Sequence, residues 1–126
     1  MKVTAQGYAD DSYWSRGQGW GLYGYTMCYR FTSDSRYLDH ATAIADWWLS
    51  LPNMPSDRIP FWDMKAPGTD VADNPEVPRD ASAAALIASA LYELAEYVIR
   101  HIGVEMWYVR LGVRGLSGCE VPEDVS

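Results

Sequence analysis

Three stretches of the chain repeat their apolar residues every three or four positions, the spacing that predicts amphipathic helices. The first runs from Trp14 to about Phe31, the second covers 36–51, and the third covers 81 to about 100. Their expected buried stripes are Leu22, Thr26 and Tyr29; then Leu38, Ala41, Ile44, Ala45, Trp48 and Leu51; then Ile87, Leu91, Leu94 and Val98. The pattern therefore predicts an all-α fold, and the short turn at 32–35 makes the first two helices an antiparallel hairpin.

Turn-forming and capping residues set the expected ends of these helices. Ser12 and Asp80 precede the first and third helices as candidate N-caps, and Pro52 ends the second. The long segment 52–79 holds all but one of the seven prolines, and a loop of that length is usually functional. Each glycine inside a helix costs up to about 1 kcal/mol relative to alanine. Another backbone or a ligand is therefore expected to approach the first helix at its glycines, Gly17, Gly19, Gly21 and Gly24.

Composition narrows the class of protein. The chain has 126 residues, 48% of them hydrophobic and 21% charged, which indicates one globular domain. A net charge of −7 with scattered basic residues argues against nucleic acid and anionic membranes as partners. No apolar run approaches the roughly 18 residues of a membrane span. Cys28 and Cys119 form no metal or disulfide motif, so we expect no metal, two reduced thiols and, with no hydrophobic signal region, a cytoplasmic location.

The aromatic residues introduce a candidate chemistry. There are six Trp and nine Tyr but only two Phe, so nearly every ring carries a polar group. Such rings stack on sugars while their N–H or O–H groups form hydrogen bonds, which favours carbohydrate binding. Packing of the same rings between helices explains the composition equally well.

Three ordered motifs give the chain a recognisable relative. RGQGW at 16–20, PFWDMKAP at 60–67 and RDASAAA at 79–85 resemble the unsaturated glucuronyl hydrolases of glycoside hydrolase family 88. The resemblance covers about 5–98. It implies a partial (α/α)6 toroid, built from helical hairpins, over 1–100, followed by a divergent and poorly ordered tail over 101–126.

The resemblance also implies an activity. Members of this family hydrate the C4=C5 double bond of the unsaturated uronic acid at the non-reducing end of lyase-derived disaccharides. An aspartate protonates the vinyl ether, water adds to the neighbouring carbon, and the resulting hemiketal opens to release the sugar. The implied partner of this chain is an unsaturated uronic-acid disaccharide, and the reaction needs no cofactor or metal.

Three residues match substrate contacts of the family: Gln6, Arg16 and Trp20. Arg16 and Trp20 are four residues apart and so share one face of the first helix. Arginine offers a fork of donors to a carboxylate, and tryptophan offers a stacking surface. The competing interpretation of Arg16 is a solvated or salt-bridged helix residue.

No catalytic residue is assigned in this chain. Asp10 and Asp11 are interpreted as turn-forming residues, Asp63 as a loop carboxylate and Asp80 as a helix cap. In the family the proton-donating aspartate lies upstream of the position that matches Gln6. We therefore expect the chain to be inactive alone.

Two other functions stay open at this point. A related family of unsaturated rhamnogalacturonyl hydrolases shares the toroid and a similar RGxGW segment. Alternatively, the chain is a non-catalytic helical module that binds carbohydrate or a partner chain. Apolar residues shaped for neighbouring hairpins, Trp47, Trp48 and Leu91, further predict self-association through exposed helix faces.

Overall fold

The computed structural model describes residues 3–110, of which 103–110 are described as helix backbone only. It contains three α-helices: α1 (Ser15–Thr32), α2 (Ser35–Leu49) and α3 (Ala81–Arg110). The described part of the chain has no strand, only two isolated β-bridges that involve the loop between α2 and α3. The prediction of an all-α fold is therefore confirmed.

The beginning of α1 differs from the prediction. Its N-cap position is Trp14, where no side chain caps the helix, so the prediction of Ser12 as the N-cap is wrong. The Ser12 hydroxyl instead bonds to the carboxylate of Asp63, in the loop after α2. At the other end of α1, Ser33 adopts a left-handed conformation (φ 54°) that stops the helix, and Asp34 then caps α2.

The start of α3 agrees with the prediction, whereas its end does not. The side chain of Asp80 accepts a hydrogen bond from the Ala83 N–H at 2.9 Å, as an N-cap residue does. The helix continues to Arg110, ten residues beyond the predicted end, so the first part of the predicted tail is helical. The rest of that tail, 111–126, lies outside the described residues, and Cys119 with it.

Ring contacts show that α2 runs antiparallel to α1. Near the start of α1, the Tyr13 ring meets the Trp47 ring at 5.1 Å, close to the end of α2. Further along α1, the Tyr25 ring lies 4.2 Å from the ring of His40, which is in the first half of α2. The two helices therefore form the predicted hairpin.

Ion pairs show that α3 runs parallel to α1. Arg16 in the first turn of α1 pairs with Asp80 at the start of α3, and Arg30 near the end of α1 pairs with Glu93, further along α3. Two parallel neighbours joined through an antiparallel helix are the repeat expected of a helical-hairpin toroid. This arrangement places the N-terminal ends of α1 and α3 side by side.

The core lies among the three helices and the loop that joins α2 to α3. Its buried residues are Leu22, Leu38, Ala41, Ala45, Trp48, Phe61, Met64, Val77, Ala83, Ile87, Ala90 and Leu94. Trp48 is only 3% exposed, so the prediction that it lies on an exposed helix face, shaped for a neighbouring hairpin, is wrong. Trp47 is 38% exposed and Leu91 is half-buried, and both remain available at the surface.

The helix α3 is unusually apolar on its outer side as well. By length and composition alone, Ala81–Ile102 could cross a membrane, with a mean hydropathy of 1.3. This differs from the expectation that no such stretch exists, because alanines raise the hydropathy of α3 without forming an obvious apolar run. We interpret α3 as a core helix, since its Glu93 pairs with Arg30 of α1 and one side buries Ala83, Ile87, Ala90 and Leu94.

The glycines of α1 have different surroundings. A Cβ at Gly19 would lie 3.1 Å from Leu86 Cδ2, so this glycine permits close contact between α1 and α3. A Cβ at Gly21 or Gly24 would meet nothing within 4 Å. A close neighbour is therefore found at Gly19 and also at Gly17, where a Cβ would lie 2.8 Å from Cε3 of Trp14. Within the described residues, Gly21 and Gly24 have none.

Gly21→Ala is expected to raise the free energy of unfolding by about 1 kcal/mol. The site is open, and alanine has the higher helix propensity, so no strain offsets the gain. Urea denaturation followed by circular dichroism measures the change. Gly19→Ala is the matched comparison and should stabilise less, because its methyl group presses on Leu86.

Candidate functional site

A short part of the loop between α2 and α3 is hydrogen-bonded to the starts of both α1 and α3. Residues 60–64, here called the bridge segment, lie beside the start of α1. The Ser15 N–H donates to the Trp62 carbonyl at 3.0 Å, and the Met64 N–H donates to the Tyr13 carbonyl at 3.0 Å. These bonds fix the direction in which α1 begins.

The opposite edge of the bridge segment holds the start of α3. The Trp62 N–H donates to the Pro78 carbonyl and the Asp80 N–H donates to the Pro60 carbonyl, both at 2.9 Å. The bridge segment therefore lies between the two helix starts and sets their separation. Backbone hydrogen bonds at both edges also satisfy polar groups that burial would otherwise leave unpaired.

Asp63 is the polar centre of the bridge segment. Its side chain is fully buried. The carboxylate accepts hydrogen bonds from three backbone N–H groups, those of Tyr8 (2.9 Å), Tyr13 (3.2 Å) and Lys65 (2.9 Å). It also accepts one from the Ser12 hydroxyl at 2.5 Å. A buried carboxylate with four donors is a structural hub, which the sequence-based interpretation as a loop carboxylate missed.

The hub anchors the segment that carries Gln6. Hydrogen bonds from Tyr8 and Ser12 hold this segment to Asp63, and Asp10 accepts the Thr4 N–H at 2.6 Å to close its turn. Gln6 itself is exposed. Among residues 3–102, no hydrogen bond joins its side chain to Arg16 or Trp20.

Arg16 and Trp20 lie one turn apart on the first half of α1, as predicted. The Arg16 Nε and Nη2 atoms donate to Oδ2 of Asp80 at 3.2 and 3.1 Å, while 48% of the arginine side chain stays exposed. The Trp20 ring is 55% exposed and meets the Tyr23 ring edge-on at 6.2 Å. Arg16 is thus salt-bridged, as its competing interpretation held, yet it also remains accessible beside an exposed ring.

The charge at this end of the molecule is set by helix α1 as well as by Arg16. No side chain caps α1 at Trp14, and its first turn has no acidic residue. The N-terminal end of a helix carries a partial positive charge, which here adds to that of the guanidinium. An anionic group is therefore favoured beside Arg16.

Asp80 is the carboxylate that pairs with Arg16 at this end of the molecule. Burial raises the pKa of its carboxyl, but hydrogen bonds from Ser82, Ala83 and Arg16 outweigh burial, so the pKa lies below its ordinary value. A lowered pKa in the folded state means that the contribution to stability is present above the unfolded carboxyl's pKa. It is lost as the pH falls through the lower folded value.

Among residues 3–102, no three His, Cys, Asp or Glu side chains are close enough to hold a metal ion together. Cys28 is a free thiol.

Comparison with known proteins gives the relatives of this fold. No family profile matches the chain. An unsaturated glucuronyl hydrolase from Formosa agariphila is 46% identical over 96 residues, which are 76% of this chain and 23% of that protein. An unsaturated chondroitin disaccharide hydrolase from Streptococcus pyogenes is 33% identical over 99 residues, 79% of this chain and 23% of the relative.

Solved structures give the same result. The crystal structure of an unsaturated glucuronyl hydrolase specific for heparin superposes with a TM-score of 0.70 at 47% identity, covering 77% of this chain and 25% of that one. The unsaturated glucuronyl hydrolase of Bacillus sp. GL1 gives 0.63 at 35% identity, covering 75% and 23%. The three described helices therefore form part of an α/α toroid. The chain is a relative of the unsaturated glucuronyl hydrolases and spans about a quarter of their length.

Proposed function

We propose that this chain forms one wall of the sugar-binding pocket of an unsaturated glucuronyl hydrolase. The substrate class is a disaccharide with an unsaturated uronic acid at its non-reducing end, as produced by polysaccharide lyases from glycosaminoglycans and related polymers. The observation that carries the proposal is the pair of accessible side chains, Arg16 and Trp20, one turn apart on α1 beside its positive end.

Each of the three proposed contacts has a chemical reason. The bonds to Asp80 use Nε and Nη2 of Arg16, and Nη1 takes part in neither, so the guanidinium retains donors for a uronic carboxylate. The exposed Trp20 ring offers an apolar surface to the face of a sugar. Gln6 is exposed and brings both a donor and an acceptor to a hydroxyl group.

Proton transfer to the C4=C5 bond requires a carboxyl group that is free to donate, and the aspartates near the start of α1 have structural partners. Asp63 is buried among four donors, Asp80 holds Arg16, and Asp10 closes a turn. Asp11 pairs with Lys65 at 3.2 Å. We therefore assign substrate binding to Gln6, Arg16 and Trp20, give these aspartates structural roles, and leave the proton donor to another part of the enzyme. Loss of a general acid removes a factor of about 100 or more in rate.

The test is a titration of the chain with an unsaturated chondroitin disaccharide, followed by NMR. We expect saturable binding that Arg16→Ala and Trp20→Ala each weaken about tenfold, the effect of removing a charge-assisted hydrogen bond or a stacking ring. The ultraviolet absorbance of the double bond should not decrease, since each aspartate that the structure describes near the start of α1 already has a structural partner. Arg36→Ala is the matched control, because Arg36 is an exposed arginine at the start of α2. Equal affinity in Arg16→Ala and Arg36→Ala, or turnover by the chain alone, would contradict the proposal.

The same titration separates the alternatives. An unsaturated rhamnogalacturonan disaccharide that binds more tightly than the chondroitin one would favour the rhamnogalacturonyl hydrolases. Binding of saturated and unsaturated sugars with equal affinity would favour a non-catalytic carbohydrate module. The relatives named above are glucuronyl and chondroitin disaccharide hydrolases, which is why we place the unsaturated glucuronyl substrate first. Self-association through exposed helix faces and a cytoplasmic location stay predictions.

A further inference from the structure

The two carboxylate oxygens of Asp80 have separate partners. Oδ1 accepts hydrogen bonds from the Ser82 hydroxyl at 2.6 Å and from the Ala83 N–H at 2.9 Å, both within the first turn of α3. Oδ2 accepts two bonds from Arg16 of α1, one from Nε at 3.2 Å and one from Nη2 at 3.1 Å. One oxygen therefore caps α3, while the other binds the residue that we propose meets the sugar.

We propose that Asp80 is a positioning residue, which holds the Arg16 guanidinium in the orientation that binds an anionic sugar. The inference rests on the proposed function, from which the role of Arg16 as a sugar contact comes. Asp80 itself touches no substrate in this assignment. It acts through Arg16.

The surroundings of Asp80 make it a rigid support. Its residue is 6% exposed, and its own N–H is bonded to the Pro60 carbonyl of the bridge segment. The two bonds at Oδ1, from Ser82 and Ala83, further restrict the carboxylate. The accessible Arg16 side chain is therefore fixed from one side, and it loses less conformational freedom when a ligand binds on the other.

The capping role alone does not explain the contact with Arg16. Asparagine caps helices as well as aspartate does, because a single side-chain oxygen is sufficient. A negative charge favours the positive N-terminal end of α3, but only the contact with Arg16 uses the second oxygen, which accepts from two N–H groups of one guanidinium. This difference makes Asp80→Asn an informative substitution: it keeps an oxygen for Ala83 and presents an amide to Arg16 where the carboxylate was.

The experiment uses the full 126-residue chain with ¹⁵N-labelled arginine and alanine. The readouts are exchange of the Arg16 Nε–H with water, the Ala83 amide resonance, and the affinity for an unsaturated chondroitin disaccharide. In Asp80→Asn we expect the Arg16 Nε–H to exchange about tenfold faster and the affinity to fall about tenfold, as for loss of a charge-assisted bond. The Ala83 amide should stay hydrogen-bonded, because asparagine keeps the capping oxygen. If Asp80 only capped α3, Asp80→Asn would leave Arg16 exchange and sugar affinity unchanged as well.

Two further variants complete the test. Ser82→Ala removes a bond to Oδ1 only and should change neither Arg16 exchange nor sugar affinity. Asp80→Glu, which keeps the charge, is the substitute if Asp80→Asn does not fold, and it should retain slow Arg16 exchange while weakening the cap. Fast Arg16 exchange in Asp80→Glu would overturn the proposal.

The outcomes separate this inference from the proposed function. Unchanged Arg16 exchange in Asp80→Asn overturns the inference, as does faster exchange with unchanged sugar affinity. A wild-type chain that binds no unsaturated disaccharide overturns the proposed function instead. In that case, faster exchange of the Arg16 Nε–H in Asp80→Asn would still show that Asp80 holds the guanidinium.

Discussion

Asp63→Ala is expected to lower the free energy of unfolding by about 3–5 kcal/mol. The substitution removes a buried acceptor of four hydrogen bonds and leaves the N–H groups of Tyr8, Tyr13 and Lys65 without it. Each buried N–H group left without an acceptor lowers stability by about 1–3 kcal/mol. The loss is smaller where water can bond to a partly exposed N–H group. Because small domains are stable by only about 5–15 kcal/mol, the variant should be close to unfolding at room temperature. Urea denaturation measures the change.

Two comparisons show whether the hub causes this loss. Asp63→Asn keeps one acceptor oxygen and nearly the same volume, so it should lose less than Asp63→Ala. Asp11→Ala removes a carboxylate that is 85% exposed and pairs with Lys65 at the surface, where ion pairs contribute little. If Asp63→Ala were no less stable than Asp11→Ala, the hub would have no role in holding the segment 4–13.

Phe61→Ala is expected to cost a similar 3–5 kcal/mol, for a different reason. Phe61 is fully buried in the core beside the bridge segment's backbone bonds, and its ring lies under the Arg79 guanidinium at 4.9 Å. Truncation removes the ring's burial and leaves a cavity that rigid neighbours fill only in part. Thermal and urea unfolding of the variant measure the loss.

The chain contains its own control for this substitution. Its other phenylalanine, Phe31, is 75% exposed near the end of α1, so Phe31→Ala should change stability by no more than about 0.5 kcal/mol. Equal losses in the two variants would mean that Phe61 does not lie in the core.

The helices were predictable because each buries one stripe, and a stripe leaves a period in the sequence. Leu22, Leu38 and Leu94 all lie on predicted stripes and are buried. The predictions failed where a distant residue competes for a local group. Ser12 has the chemistry of a helix cap, but Asp63, 51 residues later, accepts its hydroxyl. No local pattern contains that information.

In the site, too, the features set by neighbouring residues were predictable and the contacts between distant residues were not. The spacing of Arg16 and Trp20 placed them on one face, and the capping role of Asp80 followed from its position before an alanine-rich helix. The bond between Asp80 and Arg16 spans 64 residues, so neither residue's neighbourhood predicts it. The hub at Asp63 left one signal in the sequence, its position directly after two large rings, Phe61 and Trp62, of which Phe61 is fully buried.

The hub also has a consequence for the order of events during protein synthesis. A ribosome makes Tyr8 and Tyr13 before α1, and the carboxylate that binds their N–H groups is added 55 and 50 residues after them. The α1–α2 hairpin relies on contacts between neighbours in the chain and can form as soon as it emerges. The segment with Gln6, although translated before that hairpin, must stay hydrated until Asp63 arrives. This segment therefore reaches its final place after the hairpin that follows it in the sequence.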